Sequence, residues 1–367
     1  MFKKTHMTQV KTMEEADFLG KKVVLRVDFN CPTEDGKLLD TFRIDRTIPT
    51  VLRLLEGGAE KIVILSHLGR PEGKFSEDFS LKPVVRYFSE HLTESNSPAT
   101  AEVTLVPHDA SIDACLDQAA AAPSGIVFLE NIRFWAEEEA GDEEFAKKLA
   151  SAGDVFINDA FSACHRAHAS IAGVPRHIPG YAGLLLAEEI AQIGKAVENP
   201  AKPAVAIVGG AKLETKMPVL EKLAAKYDKV LVGGLIAVEL ENDEASRAKL
   251  PSDVVVLPTG YVDQKKRDID QASAEAFASI IKEAKTILWN GPMGKFEEKP
   301  FDLATKVIGE AVAANSGAYT VVGGGETIEA INAVGIFDRV DFVSTGGGAM
   351  LEFIGGAELP GIAAVKM

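Results

Sequence analysis

Arginines and histidines recur at one kind of position in the first half of this 367-residue chain. Short apolar, β-branched runs are followed directly by Asp28-Phe29-Asn30, by Ser66-His67-Leu68-Gly69-Arg70-Pro71, by Glu130-Asn131-Ile132-Arg133-Phe134, and by Asn158-Asp159-Ala160-Phe161 leading to His165-Arg166-Ala167-His168. Guanidinium groups stay charged and grip phosphate or carboxylate through a planar fork, so a small, doubly anionic ligand is the expectation. A single such arginine reads more simply as half of a surface ion pair with Asp28, Glu130 or Asp159, a contact worth little alone. Repetition at equivalent loop positions argues for the ligand.

The second half carries glycines at the same kind of position: Gly209-Gly210-Ala211-Lys212 with Lys216, Gly233-Gly234, Gly323-Gly324-Gly325-Glu326-Thr327 and Gly346-Gly347-Gly348. Glycines between a strand and a helix let backbone N–H groups approach phosphate oxygens, and the helix N-terminus adds partial positive charge. The chemistry is that of a nucleotide-phosphate cradle, although neither a P-loop nor a dinucleotide fingerprint occurs. One such turn would read as close packing of helix on strand. In Trp289-Asn290-Gly291-Pro292-Met293-Gly294-Lys295-Phe296-Glu297, Asn290 can hydrogen-bond a ligand beyond a strand end and Glu297 can accept from ribose hydroxyls, while Trp289 and Phe296 suit core positions around a rigid turn.

The elements that must position these loops are βα units, the pattern of parallel sheets. Strands are expected at Lys22 to Val27, Lys61 to Leu65, Glu102 to Val106, Ile126 to Leu129 and Val155 to Asn158, then at Ala204 to Val208, Lys229 to Val232, Val254 to Leu257, Thr286 to Trp289, Tyr319 to Val322 and Phe342 to Ser344. A helix with Ile44, Ile48, Val51, Leu52 and Leu55 on one face stops at Gly57-Gly58, and a connector helix at Leu184 to Val197 ends at Asn199-Pro200. Glu239 to Lys249 reads as a surface loop. The predicted division is 1–178, a hinge at 179–198, 199–352, and a final segment 353–367 returning towards the first domain.

With 39 basic and 54 acidic residues the net charge is −15, which argues against a nucleic-acid or anionic-membrane binder, so any anion must be met locally. Cys31, Cys115 and Cys164 are too few and scattered for a disulfide framework or a zinc site. No signal-like or membrane-spanning apolar run is visible, so a cytoplasmic protein is expected.

Assembled in order, these stretches, together with Arg26-Val27-Asp28-Phe29-Asn30 and Ser344-Thr345-Gly346-Gly347-Gly348-Ala349, closely resemble the phosphoglycerate kinase family over nearly the whole chain. The resemblance implies an α/β protein of two doubly wound, Rossmann-like domains facing across a hinged cleft. It also implies reversible phosphoryl transfer between 1,3-bisphosphoglycerate and Mg-ADP, giving 3-phosphoglycerate and Mg-ATP, in glycolysis, and a monomer is expected. It places Asp28 and Asn30 on the glycerate hydroxyl and carboxylate, with Phe29, Leu68 and Gly69 in the same substrate-binding set. His67, Arg70, Arg133 and Arg166 then hold the distal phosphate. Arg43 and Lys212 would be catalytic, Arg43 at the transferring group. Gly210, Lys212, Lys216, Asn290, Glu297, Gly324, Gly325, Glu326 and Thr327 would bind the nucleotide.

Three departures lie on the nucleotide side. Glu326 stands where the family usually has Asp, moving a carboxylate expected at the metal outward by one methylene, about 1.5 Å, and Mg²⁺ tolerates poor geometry badly. Asp268-Ile269-Asp270-Gln271 replaces Asp-Ile-Gly-Pro, and Leu235 follows Gly233-Gly234 where a third glycine is common. The alternative expectation is therefore a catalytically weakened homologue that binds a ligand or a partner, against which stand Arg43, Lys212 and Lys216, charges needed for a transition state.

Overall fold

The computed structural model describes residues 10–94, 102–123 and 125–366. They fall into two compact units, residues 10–188 with 358–366, and residues 189–357.

The first unit contains β1 (Lys22–Arg26), a short hairpin of β2 (Thr33–Glu34) and β3 (Lys37–Leu38), α1 (Phe42–Glu56), β4 (Lys61–Leu65), α2 (Lys82–Glu94), β5 (Val103–Val106), α3 (Ile112–Ala121), β6 (Gly125–Leu129), α4 (Ala136–Ala140), α5 (Glu143–Ala150), β7 (Val155–Asn158) and β8 (Gly180–Ala182). Six strands form one parallel sheet in the order β5-β6-β4-β1-β7-β8, with Val24 of β1 registered between Val63 and Phe156. Continuous apolar strands such as Lys61–Leu65, buried throughout, follow from helices covering both faces. One core holds Val23, Leu25, Ile44 and Phe88, and the opposite face holds Val24, Val63, Leu129 and Phe145. The strand order reverses beside β1 and β7, opening a crevice at their carboxyl ends.

α6 (Leu184–Glu198) carries the chain into the second unit, which contains β9 (Ala204–Val208), α7 (Leu213–Ala224), β10 (Lys229–Val232), α8 (Gly234–Asn242), α9 (Glu244–Arg247), β11 (Val255–Val256), α10 (Gln271–Lys282), β12 (Thr286–Asn290), α11 (Leu303–Ala314), β13 (Tyr319–Gly323), α12 (Gly325–Val334), β14 (Phe342–Ser344) and α13 (Gly347–Gly355). Its sheet order, β11-β10-β9-β12-β13-β14, is again parallel, and the reversal lies between β9 and β12. The doubly wound α/β class inferred from the sequence is the class observed. The final helix, α14 (Pro360–Ala363), packs in the first unit, where the Gly361 N–H donates to the Cys164 carbonyl at 2.9 Å and Val10 bridges Lys366.

Two local readings differ from the structure for identifiable reasons. Residues 239–242 and 244–247 are helical, not a loop, because α8 runs on through Asn242 and Asp243 caps α9 by accepting the Ser246 N–H at 3.1 Å. The expected face of α1 does pack on the core, with Ile44 and Val51 buried in it and Ile48, Leu52 and Leu55 partly buried against it, and Thr47, Thr50 and Leu54 are buried as well, the Thr50 hydroxyl accepting the Leu184 N–H. β8 escapes notice because it is three residues long and opens on the Pro179-Gly180 pair that reads as a turn.

Candidate functional site

In the first unit β1 delivers Asp28 to the crevice. Asp28 is 7 % exposed; it accepts from Arg43 and from the Ser162 hydroxyl, and takes the Asn30 N–H at 3.0 Å. Burial works against its carboxylate, but the Arg43 guanidinium and these donors outweigh it and hold the carboxyl below the usual carboxylate range. Since burial keeps His67 well below its ordinary value, with Arg26, Arg133 and Arg43 acting in the same sense, the charge that holds Asp28 is Arg43. Arg43 rises from the first turn of α1, so the helix that fills the core on one side aims a guanidinium at the strand end on the other.

Asn30, Gly69 and Arg133 form one hydrogen-bonded corner. The Asn30 Oδ1 accepts the Gly69 N–H at 2.8 Å, and Arg133 donates to the Gly69 carbonyl at 2.8 Å. Gly69 has φ of 62° and an added Cβ would lie 2.3 Å from the Phe79 ring, so glycine is required. Arg133 is buried, which pushes its pKa down, and Glu139 lies 3.2 Å from its Nε. Arg166 is half-buried and near enough to Arg133 and His168 to lower the pKa of both, while Arg70 is exposed. Phe29 and Leu68 put their side chains in the core; Phe29 packs on Phe88 and Phe128 with centroids 6.0 and 6.2 Å away, and the Leu68 carbonyl accepts from Asn131 at 2.6 Å. These two shape the loops from beneath.

In the second unit the turns after β9 and β12 cross. A Cβ on Gly209 would lie 2.0 Å from the Pro292 carbonyl oxygen, and one on Gly291 would lie 2.3 Å from that of Gly209. Asn290 is the hub. Its Oδ1 accepts from Lys216 and its Nδ2 donates to the Gly323 carbonyl at 2.7 Å, while the buried Thr327 hydroxyl takes the Gly291 N–H at 2.7 Å. Gly324 and Gly325 lead into α12, with Glu326 exposed in its first turn. Lys216 is 8 % exposed, and burial, opposed by Glu326, pushes its ammonium down to about 8. Lys212, at the start of α7, is exposed.

A hollow of about 250 Å³ opens beside this hub, lined by Gly210, Glu297 and Glu326 and by the apolar Ala211, Leu235 and Pro292. Lys212, Lys216, Asn290 and Thr327 lie outside that lining. A larger hollow of about 680 Å³ beside α7, α8 and α9 is lined by none of the site residues expected from the sequence. Among the described residues no group of three or more His, Cys, Asp or Glu could hold a metal ion. A single exposed carboxylate, Glu326, fits a cation that arrives with phosphate oxygens and keeps most of its waters. Sequence reasoning missed Glu138, Ser162 and Ser170 in the first unit and Arg267 in the second, while Arg26, Ser66, Ala211 and Lys295 stood in its motifs without an assigned role. No helix of the described residues is long and apolar enough to cross a membrane.

A family model described as phosphoglycerate kinase matches residues 13–248 and 241–357, the two stretches overlapping at 241–248. The phosphoglycerate kinase of Roseiflexus castenholzii is 40% identical over 397 aligned positions, covering 97% of this chain and 99% of that one. That of Chloroherpeton thalassium is 40% identical over 401, with the same coverage. Among solved structures, phosphoglycerate kinase from Coxiella burnetii has a TM-score of 0.80 at 34% identity, and that from Pyrococcus horikoshii 0.82 at 31%, each covering 97% of this chain and 98% of its own. None of these likenesses favours a weakened, non-catalytic homologue.

Proposed function

This chain belongs to the phosphoglycerate kinase family, kinases that transfer phosphate to a carboxyl acceptor, and from that premise we propose how its residues divide the reaction. Residues 1–178 hold the 3-phosphoglycerate moiety and 199–352 hold ADP or ATP, with 179–198 as the hinge and 353–367 returning to the substrate side. Asp28 and Asn30 take the glycerate hydroxyl and carboxylate, over loops shaped by Phe29, Leu68 and Gly69. His67, Arg70, Arg133 and Arg166 take the phosphate that is not transferred. Gly210, Gly324, Gly325 and Thr327 build the cradle, Lys216 and Asn290 meet the nucleotide phosphates, and Glu297 accepts from the ribose.

The transferring phosphoryl group spreads negative charge over its equatorial oxygens, so the protein's task is positioning and electrostatic stabilisation, without a covalent enzyme intermediate. Arg43 and Lys212 supply the charges. Arg43 is oriented for this by its pairing with Asp28, the observation that carries the reading, since a partly exposed guanidinium fixed over the carboxylate that binds the acceptor is poised at the reacting end. Glu326 would help hold Mg²⁺ delivered with the nucleotide, where such an ion would supply positive charge against the phosphate oxygens. Bringing donor and acceptor in line and excluding water from the acyl phosphate is the work we assign to the hinge. We further assign a cytoplasmic monomer that binds neither nucleic acid nor membrane; sedimentation of the purified chain tests the monomer.

A coupled assay of 3-phosphoglycerate-dependent ATP consumption with Mg²⁺ tests the assignment. Turnover of about 1 to 1000 s⁻¹ is expected, falling by roughly two orders of magnitude or more in Arg43→Ala. Unchanged turnover in that variant removes Arg43 from the catalytic set.

A further inference from the structure

Beneath the substrate loops lies a buried polar chain that the reaction as described does not use. Arg26, the last residue of β1, is wholly buried, as is Glu138 on α4. The Glu138 carboxylate accepts the Ser170 N–H at 2.8 Å and the Ser170 hydroxyl proton at 2.5 Å, and the Ser170 Oγ in turn accepts from Arg26 Nε at 2.7 Å. A hydroxyl has one proton, so donating it to the carboxylate leaves the oxygen lone pairs for Arg26; the order of the chain is fixed by chemistry. Another guanidinium nitrogen of Arg26 lies 3.9 Å from Glu138, the counter-charge a buried arginine requires.

That same nitrogen, Nη2, also meets His67, at 3.3 Å from Nδ1. Arginine only donates, so Nδ1 must be the bare, accepting nitrogen of the ring. The competing arrangement, Nδ1–H to Asp28, is not made. That carboxylate is 3.7 Å away, and its oxygens already serve Asn30, Arg43 and Ser162. The charged groups around the ring are Arg26 from β1, Asp28 from the loop after it, Arg43 from α1 and Arg133 from the loop after β6, and burial together with the three arginines disfavours a second proton. His168 Nδ1, 3.8 Å from Glu138, has no hydrogen-bond partner, and burial with the neighbouring arginines pushes it down to about 3, so it does not compete for the carboxylate as a cation.

We propose that Glu138 is a positioning residue that, through Ser170 and Arg26, fixes His67 as the neutral tautomer with its proton on Nε2, so that His67 serves the substrate anion as a hydrogen-bond donor and not as a charge. The part concerning the substrate rests on the assignment of His67 above; the tautomer does not. The consequence is an anion site whose histidine contribution does not titrate across neutral pH, leaving the arginines to supply all of its charge.

The test is ¹⁵N NMR of the histidine-labelled full chain without ligand, with the His67 signals identified by their loss in His67→Gln. A neutral ring with the proton on Nε2, unchanged from pH 6 to 8, is expected in the wild type. In Glu138→Gln, which retains the shape, His67 should show mixed tautomers or begin to titrate, and KM for 3-phosphoglycerate should rise about tenfold with kcat and nucleotide KM little changed. A proton on Nδ1 or a charged His67 at pH 7 in the wild type overturns the proposal, a reading that needs no Glu138 variant to fold. So does a folded Glu138→Gln whose His67 spectrum is that of the wild type. A shifted tautomer with unaltered KM would retain the anchor and remove His67 from the substrate site.

Discussion

At the scale of the residue, the informative groups are those whose surroundings oppose their charge. Lys216 titrates near 8 because it is buried against Asn290 with only Glu326 in its favour. A bound phosphate would restore its proton. At pH 8, nucleotide binding should therefore take up about half a proton, seen in calorimetry as a binding heat that varies with the ionisation enthalpy of the buffer, and the variation should vanish in Lys216→Arg. A buffer-independent heat in the wild type would show that Lys216 does not face the phosphates. The same displacement bears on stability. A lysine with a lowered pKa in the folded chain destabilises it fully below pH 8, and the penalty fades as pH rises from about 8 towards the ordinary value near 10.5. Lys216→Met should thus raise unfolding free energy at pH 7 by about 2 kcal/mol, from roughly 3 of relieved burial less about 1 for the lost bond to Asn290, while abolishing turnover. Chemical denaturation at pH 7 measures the first and the coupled assay the second.

At the scale of the element, the site is made where strands stop. The crossing turns after β9 and β12 come within reach only because Gly209 and Gly291 lack side chains, and the atoms in the way are backbone, which cannot step aside as a side chain would. Gly209→Ala should cost roughly 1–3 kcal/mol and displace Asn290, weakening nucleotide binding while 3-phosphoglycerate binding is retained, as separate titrations of the two ligands would show. The basic loops and the glycine loops are legible in the sequence because each follows a strand whose apolar run is unmistakable. The polar anchors beneath are not. Ser162 meets Asp28 across 134 positions, and Ser170 meets Arg26 across 144, so no spacing in the chain announces them. Asp243 is illegible for the opposite reason: a charged run looks solvated until one of its members is seen capping a helix turn.

At the scale of the whole molecule, the two units are unequal in the way the chain builds them. Residues 189–357 are one continuous stretch, whereas the other unit is closed by 358–366. Those last residues support the Arg166 loop from behind: Gly361 bonds Cys164, and a Cβ there would lie 2.7 Å from Ile171, while Asn158 at the end of β7 donates to the Gly361 carbonyl at 3.3 Å. Deleting 358–367 should lower the melting temperature of the substrate-side unit and weaken 3-phosphoglycerate binding, with nucleotide binding intact; equal losses of both ligands would contradict this.

That closure also sets an order of events during synthesis. A ribosome releases residues 10–188 first, yet their last partner, the stretch that pairs Val10 with Lys366, emerges only after the other unit has been made. At about 5–20 residues per second the delay is on the order of ten to thirty-five seconds. The stretch made later is thus the first that can finish folding, and the nascent substrate-side sheet must wait incomplete, with the underside of its Cys164 turn uncovered, which makes that interval the one in which a chaperone has most to protect.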